Sequence, residues 1–267
     1  MSLPRFFVTP DQLETDTQGT VTRARITEDE ALHAARVLRL VVDDRVVICD
    51  GSGLEYLGVL RQVSVAECLA EIIAERYGPA EPRVQLHLFA GLSKGDRMDY
   101  LIQKCTELGV TAIHPVFTER TVVRLEGSKA AARTQRWQRI AREAAKQCGR
   151  ARYPSVSMVE PLEEAVSRHP CRPLIVAWEE ATEPLRSWLD RPHPVSEIGW
   201  GAVIGPEGGL SSEEVECLIE RGAVVGGLGP RILRTETAGV VLVTLIAHAL
   251  GELDRVAKDG DGGWSCV

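Results

Sequence analysis

The chain contains no CxxC pair and no Cys/His cluster at zinc-like spacing, so a structural zinc site or other bound metal is not expected. Its seven cysteines (Cys49, Cys68, Cys105, Cys148, Cys171, Cys217 and Cys266) are odd in number and widely spread. That pattern fits reduced thiols of a cytosolic protein rather than a disulfide framework. Long hydrophobic runs are missing too. The longest, Ala238 to Leu250, is interrupted by Thr244 and His248, and is well short of the ~20 residues a membrane span needs. The opening MSLPRFFVTP lacks an apolar core of signal-peptide length. There is no GxGxxG fingerprint, no P-loop Lys-Ser/Thr, no legible Ser-His-Asp or Cys-His arrangement and no internal repeat. These absences exclude the common dinucleotide, nucleotide and hydrolase signatures. They leave a soluble cytoplasmic protein with no membrane association as the expectation.

What is present is ordinary globular composition: 267 residues, 44% hydrophobic and 26% charged. That length fits one large domain or two modest ones. The net charge of −7 argues on average against a nucleic-acid partner, but averages hide local patches. Residues 1–80 balance at −5, residues 81–160 at +6 and residues 161–267 at −8. Across 120–152 only Glu126 and Glu143 oppose ten Lys/Arg. Within this stretch Trp137, Ile140, Ala141, Ala144 and Cys148 form a helical apolar stripe, which requires a polar opposite face. It does not require that face to be nearly all positive, because mixed signs stabilise a helix better. An anionic partner is therefore favoured over a merely solvated face.

The organisation reads in two parts. Val21 to Ile26, Arg45 to Cys49 and Glu55 to Val63 are short β-rich segments, with a strong turn at Asp50-Gly51-Ser52-Gly53. A helix over Glu28 to Arg39 presents Leu32, Ala35 and Leu38, and the whole suggests a small β-barrel over residues 1–78. Tyr77 to Pro82 breaks the pattern. Beyond it, strands over 84–89, 110–116, 174–177, 202–204 and 223–225 alternate with helices over 95–108, 128–148, 211–221 and 235–250. That alternation predicts an α/β domain with a parallel sheet over 79–254. The helix at 211 opens with a capping box, Ser211-Ser212-Glu213-Glu214. The remaining tail, 255–267, reads as disordered.

Two glycine-rich segments each leave a strand and enter a helix: Ile204-Gly205-Pro206-Glu207-Gly208-Gly209 and Gly226-Gly227-Leu228-Gly229-Pro230-Arg231-Ile232-Leu233-Arg234-Thr235-Glu236. Glycine in such a turn permits positive φ and close approach of a ligand to the backbone. Glu207 would repel a phosphate, so a polar ligand with a cationic portion suits the first loop better. In an open α/β sheet, loops at the carboxyl ends of strands form the ligand crevice. Two such loops would share one crevice, with Arg234 and Glu236 as the charged side chains closest to it. Lys94 and Arg97 open a helix that runs to Lys104 and Glu107. In the small domain Arg5, Arg36 and Arg39 form a minor basic ridge, beside which His33 reads as a solvated surface residue.

The segments IGPEGGLSSEEV (204–215), LGPRILRTETA (228–238), KGDRMDYLIQKCTELGV (94–110), QCGR (147–150) and HAARVLR (33–39) resemble the RsmE family of 16S ribosomal RNA uracil-N3 methyltransferases, of the SPOUT class. The resemblance spans nearly the whole chain to about residue 254. It implies a SPOUT-type trefoil-knot methyltransferase domain over 79–254, preceded by a PUA-like RNA-binding β-barrel. It also implies S-adenosylmethionine as cofactor, a homodimer, and 16S rRNA within the small ribosomal subunit as partner, methylated at the family's U1498; the alternatives are a SPOUT methyltransferase for another RNA nucleotide or a non-catalytic RNA-binding ribosome-assembly factor. Carried over position by position, Ile204, Gly205, Glu207, Gly208, Gly209, Leu228, Gly229, Ile232, Leu233 and Ala238 would line the cofactor pocket. Arg234 would stabilise the uridinate anion, with Glu236 or Glu107 as general base. Arg5, Arg36, Arg39, Lys94, Arg97, Arg120, Arg124, Arg133, Arg136, Arg139 and Arg150 would meet RNA. The chain departs from the family at Lys146, where Glu is common.

Overall fold

The structure, a computed structural model, describes residues 3–191, 193, 196–254 and 264–266. The described chain divides into two compact units: residues 3–81 with 145–152 and 264–266, and the described residues of 82–144 and 153–254.

The first unit is a curled mixed sheet. Its strands are β1 (Arg5–Phe7), β2 (Leu13–Thr15), β3 (Val21–Thr27), β4 (Arg45–Cys49), β5 (Leu54–Val63) and β6 (Glu67–Tyr77). They lie in the order β1-β4-β5-β6-β3-β2, antiparallel except for the β1–β4 pair. Register shifts in β5 at Leu57/Gly58 and Leu60/Gln62 add an extra residue on one strand, which bends a sheet. The alternation of β6 turns Cys68, Ala70 and Ile72 inward, where they pack with Phe6, Ile26, Ile48 and Leu60.

The helix expected over 28–39 is shorter: α1 (Glu28–Leu32) runs into a π-helical turn, His33–Val37. Leu38 N–H reaches His33 O and Leu40 N–H reaches Ala34 O, both at 3.0 Å. This wider turn rotates the buried face. Ala31 and Ala34 are inside, while Leu32 and Leu38 are 43% and 40% exposed. Of the tail expected to be disordered, 255–263 and 267 lie outside the described residues. Ser265–Cys266 forms a short antiparallel strand against β6, and Trp264 stacks on Arg76 with 4.2 Å from guanidinium carbon to ring centroid.

The second unit alternates β7 (Leu86–Gly91), α2 (Arg97–Glu107), β8 (Ala112–Phe117), α3 (Gly127–Cys148, of which residues 145–148 belong to the first unit), β9 (Ser155–Val156), β10 (Glu160–Pro161), α4 (Leu162–Arg168), β11 (Leu174–Ala177), α5 (Arg186–Leu189), β12 (Trp200–Ile204), α6 (Ser212–Glu220), β13 (Val224–Gly226) and α7 (Thr235–Ala249). Its sheet is entirely parallel, in the order β10-β8-β7-β12-β11-β13, with β9 also on β8. Both faces are covered, as parallel sheets require. Leu88, Ile175 and Ala202 face a core with α2, α3 and α7 that includes Leu101, Trp137, Leu242 and Ile246. Their chain neighbours Phe89, Val176 and Val203 face a second core with α4 and α6. The period of two in a strand sorts these short apolar runs onto opposite faces.

Among the described residues no helix is long and apolar enough to cross a membrane. Neither is any group of His, Cys, Asp and Glu placed to hold a metal ion.

Candidate functional site

Three loops leave the carboxyl ends of adjacent parallel strands and enclose one cavity of about 510 Å3. Trp178, Glu179 and Ala181 follow β11; Gly205, Pro206, Glu207 and Gly209 follow β12; Gly227 to Arg234 follow β13. Ala177 and Ile204 form the floor, Thr235 and Ala238 of α7 one side, and Arg97 of α2 the rim. A cavity of this volume takes a ligand of cofactor size.

The first loop is shaped by its glycines. Gly209 has φ +73°, a conformation that glycine adopts without the steric cost of a Cβ. A Cβ on Gly205 would stand 2.7 Å from the backbone carbon of Gly209, so the two ends of the loop touch. Gly209 N–H donates to Pro206 O at 3.0 Å. Trp178 Nε1–H donates to Leu210 O at 3.3 Å, fastening the first loop to the one after β11. The expected capping box is present: Ser211 Oγ accepts from Glu214 N–H at 3.3 Å, and Glu214 Oε2 accepts from Ser211 N–H at 2.9 Å.

The charged lining is Arg97, Glu179, Glu207, Arg231 and Arg234. Glu207 Oε1 accepts from Arg97 at 2.6 Å and from Lys94 N–H at 2.8 Å. Burial opposes its ionisation, but the Lys94 and Glu207 backbone N–H groups and the Arg97 guanidinium outweigh it, holding this carboxyl below the usual range. Glu236 sits in the first turn of α7 with one carboxylate oxygen 3.9 Å from Arg97 Nε. That oxygen is inaccessible to solvent and has no hydrogen-bond partner.

Nine of the ten expected cofactor residues therefore line one cavity, together with Arg234. Gly208 is the exception. It turns away from the lining, and a Cβ there would stand 2.9 Å from Arg120 Cβ. Glu107 is also separate, at the far end of α2, where its carboxylate holds Lys104 Nζ at 2.8 Å. Its assignment as a general base is withdrawn, because the cavity lies at the opposite end of that helix, beside Arg97. The reading of the residues missed Pro206, Trp178, Glu179 and Arg231. The loop after β11 was findable, since 174–177 reads as a strand and its carboxyl end belongs to the same crevice.

The expected RNA contacts divide sharply. Arg150 is buried and lies 3.4 Å from the buried Glu81, while Arg5 is only partly exposed and donates to the fully buried Glu55 at 2.7 Å. Both guanidinium groups are taken up by these carboxylates, and both residues are corrected to structural cations. Arg133 donates to Gly95 O at 2.9 Å, and Arg136 pairs with Asp99. Asp99 also takes the Trp137 Nε1–H at 3.0 Å, so these contacts fasten α2 to α3. Arg120 reaches Gly208 O at 3.3 Å. Arg36, Arg39, Lys94, Arg124 and Arg139 are exposed. Lys146, the departure from the family pattern, pairs with Glu30 at 2.6 Å within the first unit.

Two family models match the chain: an RNA methyltransferase domain over residues 80–247 and an RNA methyltransferase PUA domain over 26–73. A relative named ribosomal RNA small subunit methyltransferase E from Bacillus subtilis (strain 168) is 36% identical over 228 residues, covering 84% of this chain and 89% of that protein. Its namesake from Mycobacterium bovis is 30% identical over 241 residues, covering 86% and 88%. The crystal structure of a ribosomal RNA small subunit methyltransferase E from Neisseria gonorrhoeae bound to S-adenosyl methionine superposes with a TM-score of 0.78 at 32% identity, over 92% of this chain and 98% of that one. With the parallel sheet, the paired glycine loops and both family domains in place, this chain belongs to the RNA methyltransferases of the ribosomal RNA small subunit methyltransferase E family.

Proposed function

We propose that the protein methylates N3 of one uridine in 16S rRNA, the family's U1498, with S-adenosylmethionine as donor and the small ribosomal subunit as the setting. One observation carries the reading: the two glycine-rich loops that bear the family motifs close on a single cavity, and an exposed cation, Arg234, stands on its lining. The cavity fits the donor. Gly205 and Gly209 lie on the lining, apolar Ile204, Leu228 and Leu233 offer a surface for a base, and charges of both signs are at hand. S-adenosylmethionine, when bound, supplies an electrophilic methyl on a sulfonium.

The chain's own residues must deal with the uracil. The N3–H is weakly acidic, so its proton has to leave before or as the N3–CH3 bond forms and the S–CH3 bond breaks. Glu236, which lies beside the rim residue Arg97 at 3.9 Å rather than on the cavity lining itself, is the residue we assign to accept that proton. Arg234 stabilises the negative charge on the uracil oxygens as the proton departs. Arg97, between Glu207 and Glu236, holds both carboxylates in place, and positioning of N3 in line with the methyl carries much of the rate. The reading also includes a cytoplasmic homodimer and the SPOUT-type knot of the second unit.

Replacing Arg234 by Ala should reduce methyl transfer to small-subunit RNA at least a hundredfold while the calorimetric affinity for S-adenosylmethionine stays within about twofold. Near-normal methylation by that variant contradicts the assignment.

A further inference from the structure

We propose that Glu179 recognises the positive charge of the methyl donor. The inference deepens the cofactor reading above and rests on it. Two carboxylates line the cavity, and they differ in one respect. Glu207 is already neutralised, by Arg97 at 2.6 Å and by Lys94 N–H at 2.8 Å. Glu179 has no hydrogen-bond or ion-pair partner among the described residues, and its neighbour Glu180 faces Arg120 at 4.0 Å instead.

Glu179 is exposed to solvent, but on the open side of the cavity that it lines. The carboxylate lies directly against the first glycine loop: a Cβ on Gly209 would fall 1.9 Å from Glu179 Oε1. The φ of +73° at Gly209 and the absence of a side chain there leave the space that the carboxylate occupies. Trp178, the preceding residue, is tied to the same loop through Leu210 O at 3.3 Å, which fixes the backbone from which Glu179 projects. On the opposite sign, Arg231 and Arg234 also line the cavity without an ion-pair partner among the described residues. S-adenosylmethionine carries a sulfonium, an α-ammonium and an α-carboxylate. Glu179 can meet one of the two cationic groups and Arg231 the α-carboxylate, which leaves Arg234 for the uracil. A charge-assisted contact between Glu179 and either cation is the interaction that the neutralised Glu207 cannot supply.

Titration calorimetry of S-adenosylmethionine and S-adenosylhomocysteine against the wild-type protein, Glu179→Gln and Glu179→Asp separates the possibilities, with the melting temperature of each unliganded protein as the control for folding. Glu179→Gln should raise the Kd for S-adenosylmethionine about tenfold, and Glu179→Asp by no more than about threefold, because it keeps the charge. If the sulfonium is the cation, the Kd for S-adenosylhomocysteine changes less than about twofold; if it is the α-ammonium, both ligands weaken alike. Wild-type affinity in Glu179→Gln overturns the proposal. Equal losses in the Gln and Asp variants also overturn it, since the charge then does not matter. Absence of donor binding by the wild-type protein counts against the cofactor reading itself, and shows in a separate arm.

Discussion

At the scale of the residue, the site depends on which charges are already spent. Glu207 lines the cavity, yet its negative charge is taken up by Arg97 and the Lys94 N–H. A carboxyl held below its usual range stabilises the folded loop above the ordinary carboxyl pKa, and that contribution disappears as pH falls through the lower folded value. Glu207→Gln should therefore weaken donor binding about three- to tenfold at neutral pH, and should flatten the loss of affinity that the wild-type protein shows on acidification. Calorimetry from about pH 3 to about pH 7 measures both. The charge at 207 was readable in the sequence, and its conflict with a phosphate ligand followed directly. Its partner was not readable, because Arg97 lies 110 positions away. Arg5 and Arg150 failed for the same reason. Their charge is local information, but Glu55 and Glu81, which pair with them, become neighbours only through the fold.

At the scale of the element, local chemistry spoke clearly where it acts alone. The capping box at Ser211 and Glu214 was legible because both partners lie within one turn, and it forms as read. Ser211→Ala removes one of its two bonds, and should cost about 1 kcal/mol in denaturant unfolding. The strand β6 was not legible. Glu67 to Tyr77 is rich in Glu and Ala, which individually favour helix, and the segment becomes a strand because β3 and β5 pair with it on both sides. The first glycine loop lies between these cases. Its glycines announced a tight turn, but only the structure shows Gly205 backing onto the Gly209 backbone. Gly205→Ala must push that backbone aside. It should cost about 1–3 kcal/mol of stability and reduce donor affinity more than the Ser211 cap variant does.

At the scale of the whole molecule, net charge and charge distribution say different things. The balance of −7 hides the basic stretch over 120–152, and within that stretch the arginines are not equivalent. Arg133 and Arg136 are engaged with Gly95 and Asp99, whereas Arg124, Lys129 and Arg139 are exposed with no partner among the described residues. Neutralising Arg124, Lys129 and Arg139 should weaken RNA binding and reduce the salt slope by about 0.7–0.9 for each phosphate that these cations neutralise in the wild-type complex. Neutralising Arg133 and Arg136 should chiefly lower the melting temperature.

Stability should also depend on acid through three clustered histidines. His114 is stacked on Phe89 and His169, and its ring nitrogen lies 3.1 Å from that of His87. Burial, followed by the neighbouring imidazoles, lowers its pKa to about 3. A lowered histidine pKa means that the unfolded chain binds the proton first. Stability is then complete above the ordinary histidine value of 6.5 and declines as pH falls toward the folded value. His114→Phe should reduce that decline in the denaturation midpoint between about pH 7 and about pH 4.

The most direct test of the central claim is mass spectrometry of 16S rRNA from small subunits of cells lacking the protein, before and after incubation with the purified chain and S-adenosylmethionine. The account predicts one uridine unmethylated beforehand and carrying a single N3-methyl group afterwards, with no gain when the Arg234→Ala variant is used. An unchanged methylation pattern in the absence of the protein, or restoration at a different nucleotide, contradicts it.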